Sequence, residues 1–348
     1  MNKKAPIAVL ITDTHLKYET VKVVESIFEQ VHEVCSVRGI GRIIHLGDFF
    51  TSRKAQDLDT LLSAKKIFDS FDNVGSDFII IPGNHDKVLY ADSRSFLDLF
   101  SNNIIVYREP SMINIEGVDL LMMPFFATDP YVEKFTGFVK GIPVLNRKEI
   151  VVLTHIGFKS TSNNDNVSIH DGVDLSLFKD FKAVYSGHIH NKNYPYLGSA
   201  YQQNFGENTE KGCHLLFDDG SIEFIQLDFP IYKTTRVSAN EINVNFVEKF
   251  KVDNSESFYN RLFITGTREE CQAINKSLLN ESGLALKVVY EHESVLVIPT
   301  EESDNAGGEI VFGHTAESIV EEFSIFIEKQ SIEVTDYMVD KVEILLNN

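Results

Sequence analysis

The chain has 348 residues, 43% of them hydrophobic, and a net charge of −19. That is enough apolar material for one sizeable core and implies two domains. No apolar run approaches the roughly 18 residues of a membrane span, and the apolar stretch near Met1 is too short for a signal peptide. Cys35, Cys213 and Cys271 are scattered and odd in number, which fits a reducing cytoplasm and argues against a disulfide framework or a Cys-based zinc site.

The charge argues against strong stand-alone binding to a polyanion, but it is unevenly spread. Residues 291–348 hold fourteen acidic side chains against Lys329 and Lys341, a net −12, so the preceding 290 residues carry only −7. A partner could supply the basic surface.

The first half alternates strand and helix signals. Ile7–Thr12 is a short apolar run, and Val21, Val24, Ile27, Phe28, Val31 and Val34 then follow a helical period. Arg42–Leu46 reads as the next strand. Leu58, Leu61, Leu62, Lys65, Phe68 and Phe71 mark a second amphipathic helix, and Phe78–Ile81 a third strand before Pro82-Gly83. This βαβ order implies a largely parallel sheet with helical cover.

Later segments are richer in strands. Met112–Ile115 and Val118–Met123 flank Glu116-Gly117, a hairpin turn. Glu149–Leu153 and Ala183–Tyr185 are further strands. His214–Phe217 and Ile222–Leu227 flank a turn at Asp218-Asp219-Gly220. Residues 1–232 therefore read as one α/β sandwich, with two sheets inside and helices outside.

A second unit starts near Ile231. Arg261–Thr265 is strand-like, Thr267–Glu270 is a capping box opening a helix to about Leu279, and Leu284–Tyr290 is another strand. Residues 301–311 form an acidic, Gly-containing linker. Beyond it, 312–348 carries two short, apolar and acidic helices, one around Ile319, Phe323 and Phe326 and one around Met338, Val342 and Leu345.

Five short motifs end or follow the strands of the first unit. They are Asp13-Thr14-His15, Gly47-Asp48, Gly83-Asn84-His85-Asp86, Thr154-His155 and Gly187-His188-Ile189-His190. Ligands in open α/β sheets gather beyond the carboxyl ends of strands, which is where these motifs fall. Their side chains offer carboxylate or amide oxygen and imidazole nitrogen, with no thiol. Such a set suits hard or borderline divalent ions, manganese or magnesium. Two such ions close together can grip a phosphate, generate hydroxide and stabilise the leaving oxygen of an in-line displacement. Asp13 and His15, two apart, share one side of an extended segment. The two carboxylate oxygens of Asp48 can bridge two ions, and Asn84 adds a neutral carbonyl. His85 is placed to face the substrate, with Asp86 orienting its ring. His155, His188 and His190 complete the set, whereas His45, inside an apolar strand, reads as core.

Together the five motifs resemble those of the calcineurin-like metallophosphoesterases, over about residues 7–230. Within them the chain looks most like the SbcD-type nuclease subunits of double-strand-break repair complexes and the recombination endonuclease subunits of large phages. Gly47-Asp48-Phe49-Phe50 followed by Arg53 fits that pattern. So does the segment Tyr196–Glu207 after the paired histidines, with Ala200 where the relatives carry Pro.

The resemblance implies a four-layer αββα sandwich over 1–232, a small α/β capping domain at 233–300, and helices at 312–348 that dock on an SbcC-type ATPase subunit. It implies one Mn2+ (or Mg2+) on Asp13, His15, Asp48 and His190, and a second on Asp48, Asn84, His155 and His188. His85, supported by Asp86, would act on the transition state. DNA would be the substrate, and a homodimer through the nuclease domain would follow the family habit. The competing reading is a small-molecule or cyclic-nucleotide metallophosphodiesterase. A protein phosphatase is disfavoured, because Phe49-Phe50 and Asp86 stand where that branch carries Asp-Arg-Gly and Asn-His-Glu.

Overall fold

The computed structural model describes residues 4–90, 94–159, 161, 172–254, 259–274, 279, 286–292, 295–297 and 310–312. The helices expected beyond Phe312 lie outside the described residues. The chain separates into a first compact unit ending at Tyr232 and a second beginning at Lys233.

The first unit opens with β1 (Pro6–Ile11), α1 (Val21–Arg38), β2 (Arg42–His45), α2 (Leu58–Asp72), β3 (Asp77–Ile80) and the short β4 (Ile105–Val106). The hairpin β5 (Ser111–Ile115) and β6 (Val118–Met123) follows, then α3 (Thr128–Val139), α4 (Val144–Arg147), β7 (Val151–His155) and β8 (Ala183–Gly187). β9 (Gly212–Phe217) and β10 (Ile222–Gln226) close the unit. Glu116 and Gly117 both have positive φ, 51° and 88°, the backbone that a two-residue hairpin loop needs to match strand twist.

Two sheets result. One has the order β10-β9-β1-β2-β3-β4 and the other β5-β6-β7-β8. β1, β2 and β3 run parallel, as do β6, β7 and β8. The apolar side chains explain the layering. Val9, Ile11 and Ile43 join Val24, Ile27, Phe28, Ile67 and Phe68 in a core between the first sheet and helices α1 and α2. Leu10, Ile44 and Ile79 point the other way and meet Leu120, Met122, Val151 and Leu153 of the second sheet. Leu121, Met123 and Val152, on that sheet's outer face, pack with Tyr131, Phe135 and Val139 of α3. The order is helix, sheet, sheet, helix, so strands buried on both faces read as continuous apolar runs.

The phase of α2 differs from the expected stripe. Leu58 is 69% and Leu62 54% exposed, while Thr60, Ala64 and Ile67 are buried. Asp57 caps the helix by accepting from the Thr60 amide at 2.8 Å and the Thr60 hydroxyl at 2.6 Å. That bond turns Thr60 inward and Leu58 out.

In the second unit, β11 (Tyr232–Ser238), α5 (Val244–Asp253), β12 (Tyr259–Gly266), α6 (Arg268–Ala273) and β13 (Leu286–His292) form a three-stranded sheet with two helices. Its core gathers Val237, Val247, Phe250, Leu262 and Ile264. Thr267 caps α6 through a reciprocal pair with Glu270. The helix runs to Ala273, with Ile274 extended, and Leu279, where the expected helix ended, is itself helical. Strands β14 (Val295–Val297) and β15 (Ile310–Phe312) pair antiparallel, so the last residues read as linker belong to a strand. Among the described residues, no helix is long and apolar enough to cross a membrane.

Candidate metal centre

Parallel strands place their carboxyl ends on one side of a sheet, and the five motifs sit at those ends. Asp13 lies two residues past β1, Asp48 three past β2 and Asn84 four past β3, while His155 ends β7 and His188 follows β8. Backbone bonds lace the loops together. The amide of Asp13 donates to the Gly47 carbonyl at 3.0 Å, that of His15 to the Asp48 carbonyl at 3.0 Å, and that of Leu16 to the Phe49 carbonyl at 2.7 Å.

Close approach is possible because three of the flanking residues lack a side chain. A Cβ on Gly47 would lie 2.7 Å from His155 Nδ1, and one on Gly187 2.8 Å from the same atom. A Cβ on Gly83 would fall on the Asp48 carboxylate. The ligand-bearing backbone is itself unusual. Asp13, His15, Asp48 and His188 have φ of 52°, 43°, 56° and 84°, and they are four of the five non-glycine residues with positive φ among those described. Such conformations cost on the order of 1–3 kcal/mol each and persist where surrounding structure over-determines them.

Asp13, His15 and His190 make one group of donor atoms, Asp48, His155 and His188 a second, and His15, Asp48 and His85 a third that shares a member with each, with the donors of each within 4.8 Å of one another. Asn84 joins the second group, its Oδ1 standing 3.1 Å from His155 Nε2 and 2.9 Å from His188 Nδ1. His15 Nε2 lies 3.6 Å from Asp48 Oδ2, and His155 Nε2 3.3 Å from the same oxygen, so Asp48 stands between the groups. The structure thus brings together all seven residues expected to ligate metal. Their oxygen and imidazole donors fit a pair of hard or borderline divalent cations.

The electrostatics are those of a site built for cations. Burial pushes His188 down to about 3 and His15 well below the usual imidazole range, so both offer neutral lone pairs. Burial also raises the Asp13 carboxyl, and the neighbouring Asp48 charge adds to that rise. Asp48 and His155 behave as an ion pair. Against the burial of both, His155 holds the Asp48 carboxyl well below the carboxylate range, while Asp48 and Asp13 lift His155 to about 9. A divalent ion between them would replace that proton.

The ring tautomers follow from their partners. His155 Nδ1 meets the Leu46 carbonyl at 2.7 Å and His85 Nδ1 the Thr51 carbonyl at 2.7 Å. A carbonyl only accepts, so each Nδ1 carries a proton and each Nε2 is turned toward the centre. His85 is half-buried and lies edge-on to His15, ring centres 4.9 Å apart. A ring nitrogen of His85 also falls within 4.8 Å of donors on His15 and Asp48.

The expected pairing of Asp86 with the His85 ring is corrected. The Asp86 carboxylate accepts from the amides of Phe49 and Phe50, both at 3.0 Å, and of Gly83 at 2.9 Å. It fastens the Asn84 loop to the Asp48 loop, and the Thr51 carbonyl holds His85 instead. Burial, with Asp48 nearby, raises the Asp86 carboxyl to about 6.

Several supporting residues escaped the sequence reading. Glu207 accepts from His190 Nδ1 at 2.8 Å and Asn204 Nδ2 at 2.7 Å, and pairs with Lys211 Nζ at 3.0 Å. Both members of that pair have fully buried side chains. His45, expected in the core, is buried there, yet it bonds Thr14 Oγ1 at 3.0 Å and the Gly47 amide at 3.2 Å, bracing two loops. A carboxylate behind a ligating histidine fixes its tautomer, and its loss typically lowers metal affinity about 10- to 100-fold. Glu207→Gln should therefore weaken divalent-metal binding by about that factor, read by calorimetric titration with Mn2+ as the probe. Unchanged affinity would make Glu207 a purely structural residue.

The sequence is similar to several known proteins. The chain is 24% identical over 198 residues to exonuclease subunit 1 of Enterobacteria phage T4, covering 55% of this chain and 56% of that protein. It is 29% identical over 200 residues to the DNA double-strand break repair protein Mre11 of Saccharolobus solfataricus, covering 52% and 49%. It thus spans about half the length of each. Protein 078R of Invertebrate iridescent virus 3, assigned as a phosphoesterase, is 24% identical over 78% of this chain and 81% of its own. The crystal structure of Pseudomonas putida nuclease MPE aligns with TM-score 0.27 and 17% identity, over 53% of this chain and 62% of that one. The calcineurin-like phosphoesterase profile matches residues 8–192, which hold strands β2 to β8, the laced loops and all seven candidate metal-binding residues, and the chain belongs to that family.

Proposed function

We propose that this chain is the nuclease subunit of an SbcCD-like complex, a divalent-metal phosphodiesterase that cuts DNA in concert with an SbcC-type ATPase. The observation that carries the reading is the pair of donor groups meeting at Asp48. Asp13, His15, Asp48 and His190 would hold one Mn2+, and Asp48, Asn84, His155 and His188 the other. Ions bound there supply Lewis acidity and an activated nucleophile at neutral pH. The chain's own residues do the rest. Asp48 sets the spacing of the two groups. His85, its Nδ1 committed to Thr51, turns Nε2 toward the oxygen that leaves. Glu207 keeps His190 in register through its Nδ1.

The substrate assignment draws on the relatives, whose names place one among exonucleases and another in DNA break repair. Residues 312–348, apolar and acidic, are the proposed dock for the ATPase. The three cysteines are free, which suits a cytoplasmic setting.

The test is degradation of linear duplex and single-stranded DNA in Mn2+, with and without the ATPase subunit. We expect Mn2+-dependent cleavage that is lost in chelator. A chain lacking 312–348 should keep the intrinsic activity but no longer copurify with the ATPase. Turnover of small phosphodiesters with none of DNA would favour the small-molecule reading.

A further inference from the structure

An outward-facing aromatic ring stands beside the metal centre, and nothing in the chemistry above requires it. Tyr90, six residues past Asn84, is 44% exposed. One contact to its ring comes from Arg53, whose guanidinium carbon lies 4.1 Å from the ring centre. Arg53 is itself fixed, donating from Nε to the Lys87 carbonyl at 3.0 Å and from Nη2 to the Val88 carbonyl at 3.3 Å. Phe125 meets Tyr90 near edge-on, 5.1 Å between centres and 62° between planes. Phe125 in turn lies stacked with the ligand His188, at 6.4 Å and 26°. Two ring contacts thus connect solvent to the metal site.

We propose that Tyr90 is a stacking platform for an unpaired nucleobase next to the scissile phosphate. This rests on the nuclease reading and deepens it. An exposed tyrosine is ordinary in itself. This one is held by a cation over one face and an aromatic at its side, so little rotamer freedom remains to be lost when a base settles on the other face. Arg53 adds positive charge at the ring itself in a chain that is acidic overall. That charge suits an approaching phosphate backbone. A π-face accepts any base, so the platform positions the strand without reading its sequence. A base can stack there only when it has left its duplex neighbour, so single-stranded or frayed ends are the favoured substrates.

The test uses the full chain in Mn2+, with oligonucleotides carrying a single 2-aminopurine or a single abasic residue at successive positions. Alanine substitution at a stacking platform typically costs a factor of about 5 to 150. Tyr90→Ala should raise KM for single-stranded DNA by that much with little change in kcat, and should abolish 2-aminopurine quenching at one position. Tyr90→Phe should restore both. An abasic residue at that same position should leave the unsubstituted chain no better than Tyr90→Ala, and the two losses should not add. Equal KM for Tyr90→Ala and the unsubstituted chain, or equal loss on the abasic strand, would overturn the platform while leaving the nuclease reading intact. Failure of the unsubstituted chain to cleave any DNA would remove both.

Discussion

His85→Asn should lower phosphodiester hydrolysis about 100- to 10,000-fold, the usual worth of a positioned acid or base, while both metals still bind. The argument is geometric. The Thr51 carbonyl accepts a hydrogen bond from Nδ1–H, so only Nε2 is left for work at the centre. Asparagine retains a donor near that carbonyl but offers no titrating nitrogen. The competing role is concrete, because a His85 nitrogen also comes within 4.8 Å of donors on His15 and Asp48. Metal content by atomic emission, measured beside kcat, separates the two. A variant that loses an ion along with activity would make His85 a ligand, and the proton-transfer role would be withdrawn.

Gly83→Ala should be nearly as damaging, although glycine carries no chemistry. The new methyl would be driven into the Asp48 carboxylate and its amide. Asp48 has no room to yield. Its Oδ1 accepts from the His85 amide at 2.8 Å, and its own backbone sits at a φ of 56°. Displacing the residue between the two donor groups by about 1 Å is enough to cost on the order of 100-fold in rate, and overpacking typically costs about 1–3 kcal/mol of stability. Gly137→Ala is the control, since its Cβ would meet nothing within 4 Å. We expect the control to match the parent in kcat/KM and to melt no lower. A fully active Gly83→Ala would show that the loops move apart readily and that the tight packing is not needed for the site.

How far the sequence could be read varies with the kind of contact. β1, β2 and β3 were legible because strands buried on both faces are apolar throughout, and each ended within a residue or two of the expected place. The convergence of the candidate donors was legible because a carboxylate or imidazole just past such a strand lies at the common carboxyl end of the sheet. α2 was found but rotated, since the bond from Asp57 to Thr60 sets its phase and no apolar period reveals that. α3 was missed, though Tyr131, Phe135 and Val139 repeat every four residues on its buried face.

The supporting shell was the least legible part. Asp86 was expected to touch the residue beside it in the motif, yet it serves three amides, two of them more than thirty positions away. Glu207 lay in a quoted segment without a role, because its partner His190 is known only once the chain has turned back on itself. Bonds from side chain to distant backbone leave no periodic trace, so they become visible only in three dimensions.

The left-handed backbone at Asp13, His15, Asp48 and His188 narrows what an engineer could install there. Asn, Asp, Gly and His enter that region at modest expense, whereas Val, Ile and Thr resist it. A library aimed at altered ion selectivity would thus collapse at these four codons to a small alphabet. Diversity belongs instead at His155 and His190, which do not share that twist.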